Sequence, residues 1–294
     1  MLAPFHQIDV FARAPYRGNA VAVLHVARAP SAAAMQRLAR WTQLSETVFL
    51  LPPPPGSAAH FAVRIWMPEG ELPFAGHPTL GATRAWLEAH PDFSGDELRM
   101  HCGIGTVRLR IERPHAGHAA AGMLLFFAAP PLRHAAVVEP HIVAQLCAAM
   151  HIDTAHVVEA QHIDNGPPWL ALRLASPAAV RAVSTRHMHQ AGALMWGVFA
   201  ALSEQGEAEQ TLLVRTFAPA SGVVEDAVTG SFAAGLARSS MAPKQGNFVV
   251  RQGEQLGREG RIVVRSIEGQ SWIGGCTSVC FKGEALVEDE EEEE

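Results

Sequence analysis

Glu46 stands alone in Leu44-Ser45-Glu46-Thr47-Val48-Phe49-Leu50, at the junction between a helical pattern and a strongly apolar strand pattern. A carboxyl group held against an apolar wall has its charged form disfavoured. That raises its pKa and suits it to taking and returning a proton near neutrality. A glutamate at such a junction is also commonly just solvated, and the residue types leave both readings open. Other titratable groups lie near two glycine-led turns: His77 follows Gly76, and Glu225-Asp226 precede Gly230-Ser231. The histidine can equally be a satisfied core residue, and the adjacent acids a solvated loop pair. Gly76 and Gly230 can let a ligand approach the backbone closely, or they can simply be turn residues.

The elements that would position these groups recur along the chain. Val63-Arg64-Ile65-Trp66-Met67-Pro68 returns as Val214-Arg215-Thr216-Phe217-Ala218-Pro219, each an apolar strand pattern stopped by proline. Gly76-His77-x-x-x-Gly81-x-x-Arg84 returns as Gly230-Ser231-x-x-x-Gly235-x-x-Arg238. Gly105-Thr106-Val107-Arg108-Leu109-Arg110 then matches Gly260-Arg261-Ile262-Val263-Val264-Arg265. Three matches in one order make an internal duplication, each half reading strand, proline-stopped loop, glycine-led helix, loop, strand. The two helices, Thr79 to Glu88 and Ser231 to Ser239, are apolar on most sides and must be surrounded.

An α+β fold follows: two pseudo-symmetric halves, each a curved, mostly antiparallel sheet or barrel wrapped around a central helix. If the halves face each other, both helix starts point into one cleft. Their unpaired N–H groups and partial positive charge suit a small carboxylate-bearing ligand. Residues 1–118 form the expected first half and 128–286 the second, joined through the Pro-, Ala-, Gly- and His-rich stretch Pro114 to Leu132. Further helices are expected at Ala32 to Thr42, Pro140 to Met150 and His187 to Leu202. Strands are expected at Val21 to Val26, Thr47 to Leu51, Val107 to Ile111, Trp169 to Leu174 and Phe248 to Val250.

Composition narrows the function. The 294 residues are 48% hydrophobic, enough for a full core. The net charge is −6, but Glu288 to Glu294 is an unbroken acidic run, so the body before it is close to neutral. The run, 287–294, reads as a disordered solvated tail, and no nucleic-acid partner is implied. The apolar stretch Ala119 to Leu132 is short and carries Pro130 and Pro131, so no membrane span is expected. His6, Asp9, Arg13 and Arg17 occupy the N-terminus where an export signal would be apolar. Cys102, Cys147, Cys276 and Cys280 have no CxxC spacing and read as reduced thiols of a cytoplasmic protein. The 15 histidines include scattered His101, His115, His118, His134 and His141, with no HExxH, and His187 and His189 are two apart. No metal is expected.

Several runs resemble the phenazine-biosynthesis PhzF-like family. They begin with His6-Gln7-Ile8-Asp9-Val10-Phe11 and Gly18-Asn19-Ala20-Val21-Ala22-Val23, followed by Leu44-Ser45-Glu46-Thr47-Val48-Phe49. The most specific are Glu71-Leu72-Pro73-Phe74-Ala75-Gly76-His77-Pro78-Thr79 and Glu225-Asp226-Ala227-Val228-Thr229-Gly230-Ser231. Asn165-Gly166-Pro167 with Trp169, and Trp272-Ile273-Gly274-Gly275, also fit. The resemblance implies a diaminopimelate-epimerase-like fold and a cofactor-free isomerase of a small carboxylate-bearing substrate, working as a homodimer. It implies Glu46 as catalytic acid/base, with Gly76, His77, Asp226, Gly230 and Ser231 binding substrate and Asp226 able to orient His77. The sequence departs from the family pattern at Ala227, where proline is common, and at Phe232, where a small residue is common. A looser loop and a reshaped pocket beside Ser231 are expected from these.

Two rival readings have their own signatures. A two-cysteine racemase or epimerase on the same fold needs a cysteine at each helix start, where this chain has His77 and Ser231. A catalytically silent binding or interaction protein would keep the scaffold and bind without turnover.

Overall fold

The computed structural model describes residues 1–114, 122–202, 210–244 and 246–288. His115, His118 and all but the first two residues of the acidic tail therefore lie outside the described residues. The chain divides into two compact units, 1–128 with 274–294, and 129–273.

The first unit is a barrel around a helix. Its elements are β1 (Leu2–Val10), β2 (Asn19–His25), α1 (Ala32–Thr42), β3 (Thr47–Leu51), β4 (Phe61–Trp66), β5 (Glu71–Leu72), α2 (Gly76–Ala89), β6 (Glu97–Cys102), β7 (Gly105–Glu112) and β8 (Leu124–Ala128). The sheet runs β1-β2-β3-β4-β6-β7-β8 and is joined by the chain's last strand, Gln270–Leu286, which pairs back onto β1 and closes eight strands. Closure removes open edges. Helix α2 touches β1, β2, β3, β4 and β8 and is buried on nearly every side. A Cβ at Gly81 would collide with Val21, so glycine lets the helix lie this close to the wall. Outside, α1 lays Met35 and Ala39 on Leu24, Phe49 and Trp66.

The second unit repeats that order. It contains α3 (Pro140–Met150), β9 (Val157–His162), β10 (Trp169–Leu174), α4 (Pro177–Ala182), β11 (Met195–Leu202), β12 (Gln210–Ala218), β13 (Val223–Asp226), α5 (Gly230–Ala237), β14 (Phe248–Gln252) and β15 (Gly260–Ile267). The last strand, now β16 (Gln270–Leu286), begins here beside β15. In the first unit β2 is parallel to β3, β3 antiparallel to β4, β4 parallel to β6, and β6 antiparallel to β7. In the second, β10, β11, β12, β14 and β15 follow the same sequence of directions. Even the short β5 on β4 has its counterpart in β13 on β12. The duplicated motifs are thus duplicated topology.

Most expected elements form, and one does not. The helix expected over His187 to Leu202 is instead a short 3-10 turn, Met188–Ala191, followed by strand β11. Gly192, at φ 63°, breaks the turn, and the Val198-Phe199 run then pairs with β10 as a parallel strand. No helix among the described residues is long and apolar enough to cross a membrane.

Candidate active site

Glu46 is held where α1 gives way to β3. The helix ends at Gln43 in the left-handed conformation, φ 57° and ψ 17°. Three residues later the Glu46 carbonyl accepts the Ala22 N–H at 3.4 Å, next to the point where β3 joins β2. A second anchor comes from buried Asp9, whose carboxylate accepts the main-chain N–H groups of Arg17 and Gly18. A Cβ at Gly18 would collide with the Val10 carbonyl, so only glycine fits this turn. Asn19, the next residue, accepts from the Ser45 hydroxyl at 3.5 Å. The GNA and LSE runs of the sequence therefore form one structural unit around the glutamate.

The side chain of Glu46 is 12% exposed, and its Oε2 lies 3.2 Å from Nε2 of His77. This oxygen is buried and has no aligned hydrogen-bond donor. Removal from water pushes the Glu46 pKa up to about 7; the neighbouring Ser45 side chain pulls it down, and the charge of Glu69 adds to the rise. His77, also buried, is the second residue of α2. The first-turn N–H groups of α2 precede its first intrahelical bond, from Thr79 N–H to the Ala75 carbonyl.

The raised pKa carries a stability prediction. Folding holds a proton on Glu46 that the unfolded chain releases above its ordinary pKa of 4.5. The associated stability is complete below that pH and is lost as pH rises through about 7. Glu46→Gln, which cannot ionise, is expected to exceed wild type at pH 8 by up to about 3 kcal/mol. Near pH 4 the two should match. Urea denaturation at both pH values checks this, and equal stability at pH 8 would count against a buried, proton-holding Glu46.

In the second unit the structure gathers Asp226, Gly230 and Ser231. Asp226 ends β13, and Gly230 opens α5. Glu225 is no solvated loop acid: it makes a bidentate pair with Arg215 at 2.9 and 2.7 Å, with both side chains about 5% exposed. Arg215 also donates to the carbonyls of Val180 and Val183. Oδ2 of Asp226 accepts the Thr229 hydroxyl at 2.5 Å. Ser231 Oγ accepts the Trp169 indole N–H at 2.9 Å, which leaves the serine's own proton available to a ligand. Asn165 donates to the Ser231 carbonyl at 2.9 Å. Phe232 is fully buried, its ring packed over Gly197, where a Cβ would collide with it, and edge-on to Trp169 at 5.9 Å. Trp169 therefore touches both Phe232 and the Ser231 hydroxyl.

Nothing in their residue types marks Asn19, Ser45, Thr216, Thr229 or Gln252 as neighbours of the candidate site residues. Asn19, Ser45 and Thr229 sit inside the family-like runs, which is the signal that could have found them. Among the described residues no group of three or more His, Cys, Asp or Glu side chains is placed to hold a metal ion.

Two units of one strand topology, with a buried carboxylate beside an imidazole at a helix start in the first, define a duplicated α+β protein with a candidate acid/base site. The chain belongs to the phenazine biosynthesis-like (PhzC-PhzF) family, whose model it matches over residues 8–290. It is 36% identical over 270 residues to trans-2,3-dihydro-3-hydroxyanthranilate isomerase of Pseudomonas chlororaphis, covering 90% of each chain. The solved structure of a predicted epimerase, PA4716 from Pseudomonas aeruginosa, is 27% identical, with a TM-score of 0.74 over 97% of this chain and 100% of that one. A PhzF-family protein of Bacillus anthracis, 17% identical, shares the fold with a TM-score of 0.77, covering 98% of this chain and 100% of that one.

Proposed function

We propose that this protein is a cofactor-independent isomerase that moves a proton between two carbons of a small carboxylate-bearing substrate, with Glu46 as the acid/base. The observation that carries this reading is the buried Glu46 carboxyl, its pKa near neutrality and its Oε2 3.2 Å from His77. In the reaction, Glu46 takes a proton from a carbon next to a conjugated system. The electron pair of that C–H bond moves into the conjugated system, and the same carboxyl group delivers the proton to another carbon as the new C–H bond forms. Atoms and charge balance without an external oxidant, reductant or metal. The anion formed between the two transfers is stabilised by hydrogen-bond donors, a role suited to His77 and to the helix-start N–H groups.

Gly76, His77, Asp226, Gly230 and Ser231 are assigned to substrate binding in this reading, with the N–H groups at Gly76 and Gly230 taking the substrate carboxylate. A homodimer is part of the same proposal, as is the absence of a nucleic-acid or membrane partner. The Pseudomonas relatives named trans-2,3-dihydro-3-hydroxyanthranilate isomerase supply the natural first probe. Incubating the full chain with that compound in deuterated water, followed by NMR, is expected to show isomerised product. Thermal stabilisation by the compound without conversion or label uptake would instead support a silent binding protein. Exchange at one carbon with configuration scrambled and the double bonds unmoved would support a racemase or epimerase.

A further inference from the structure

Gln252, the last residue of β14, is 1% exposed and lies behind the turn that carries Asp226. Its Oε1 accepts the Thr229 main-chain N–H at 3.0 Å, which fixes which way the amide faces. Its Nε2 then points at Thr216 Oγ1 and Thr229 Oγ1, both at 2.9 Å, and at the Asp226 carbonyl at 3.0 Å. Thr216 and Thr229 hydroxyls are 2.6 Å apart, and Thr229 Oγ1 is 2.5 Å from Asp226 Oδ2. Each hydroxyl has one proton to give. The carboxylate oxygen accepts, so the Thr229 proton goes to Asp226. Thr216 therefore donates to Thr229, and the Gln252 amide, which has no acceptor on that nitrogen, donates to Thr216. The chain of donors runs one way, from the Gln252 amide to the Asp226 carboxylate.

The packing behind this chain leaves no slack. A Cβ at Gly253, where φ is +96°, would sit 2.7 Å from the Ala227 carbonyl, and one at Gly260 would sit 2.7 Å from the Gln252 carbonyl and collide with Val228. The turn from Asp226 to Thr229 thus rests directly on the end of β14. The first unit supplies an internal comparison. There β6 ends at Cys102, and the following Gly103 abuts Pro73 much as Gly253 abuts Ala227. Cys102, in the place of Gln252, bonds to the Gly105 carbonyl of its own hairpin. The helix-start residue Ala75 stands where the second unit has Thr229. The duplicated scaffold carries the donor chain on the side that holds Asp226.

We infer that Gln252 is a positioning residue, which through Thr216 and Thr229 fixes the orientation and acceptor state of the Asp226 carboxylate and the start of α5. This rests on the assignment of Asp226 to substrate binding made above. The test compares Gln252→Leu, Thr229→Val and Thr229→Ser in the full chain. Conversion of trans-2,3-dihydro-3-hydroxyanthranilate gives one readout, and crystal structures of the variants give another. Gln252→Leu and Thr229→Val are each expected to raise KM roughly 10- to 100-fold, the loss expected for a hydrogen bond to a charged group. Thr229→Ser, which restores the hydroxyl, is expected to recover most of what Thr229→Val loses. In the Gln252→Leu structure the Asp226 carboxylate should turn away from residue 229. Unchanged KM in Gln252→Leu, or equal damage from Thr229→Ser and Thr229→Val, would overturn the inference. Should Gln252→Leu not fold, the Thr229 pair carries the test. If wild type does not convert the probe, the functional reading fails by itself. The inference then stands or falls on whether Asp226 Oδ2 keeps its 2.5 Å contact with residue 229 when Gln252 is replaced.

Discussion

Replacing Glu46 by glutamine is expected to lower turnover by about 10²- to 10⁴-fold, the range for loss of a positioned general acid/base. The substitution keeps the size and shape of the side chain and removes the one group that can take and return the proton. Substrate binding should largely survive, because the binding role belongs to other residues, so the loss should fall on kcat more than on KM. In wild type, kcat/KM should rise with pH as the carboxyl ionises, with an apparent pKa near the value of about 7 that burial imposes. A purified Glu46→Gln protein that turns over within a few-fold of wild type would remove the glutamate from the reaction. Set beside its expected gain in stability at pH 8, the activity loss describes a chain that keeps a destabilised carboxyl group because its chemistry requires one.

Glu225→Gln should produce the largest stability loss. It strands the Arg215 guanidinium in a site where both partners are about 5% exposed. Breaking a buried pair by removing one charge typically costs 3–5 kcal/mol, because the remaining charge stays desolvated. For a protein of this size that corresponds to a melting temperature lower by roughly 10 °C. The exposed pair of Arg173 and Glu159, with side chains 45% and 40% exposed, serves as the control. Glu159→Gln should change stability by no more than about 1 kcal/mol. Replacing both Arg215 and Glu225 by apolar residues of similar volume should recover much of the loss. A Glu225→Gln effect as small as the control's would show that the pair is hydrated in solution. Because Glu225 precedes Asp226 on β13, the variant should also raise KM.

Much of the architecture is legible in the residues because it is duplicated. The proline-stopped strands and glycine-led helix starts repeat, and β10 and β3 follow directly from apolar runs bounded by turn residues. The strand β11 is not legible. His187 to Leu202 contains alanine, leucine and methionine, which favour helices, and only its parallel pairing with β10 makes it a strand. The burial of Glu46 is likewise a tertiary property: nearby sequence shows an apolar strand, while His77 beside its carboxyl and Ala22 on its carbonyl come from separate segments of the chain. Arg215 and Glu225 meet because β13 folds back on β12, which a local reading of two adjacent acids does not reveal. Gln252 is a further case, since a glutamine after an apolar strand looks like an ordinary strand end. Its partners come from β12 and the turn before α5. The internal repeat does carry a trace of it, in the pairing of Gln252-Gly253 with Cys102-Gly103.

The most direct measurement is a pH titration of the side-chain carboxyl of Glu46 in protein labelled with carbon-13 glutamate, its resonance assigned by its absence from Glu46→Gln. A midpoint near 7 is the predicted result, showing a carboxyl group that still holds its proton close to neutrality. A midpoint near 4.5, the value of an ordinary solvated glutamate, would contradict the account.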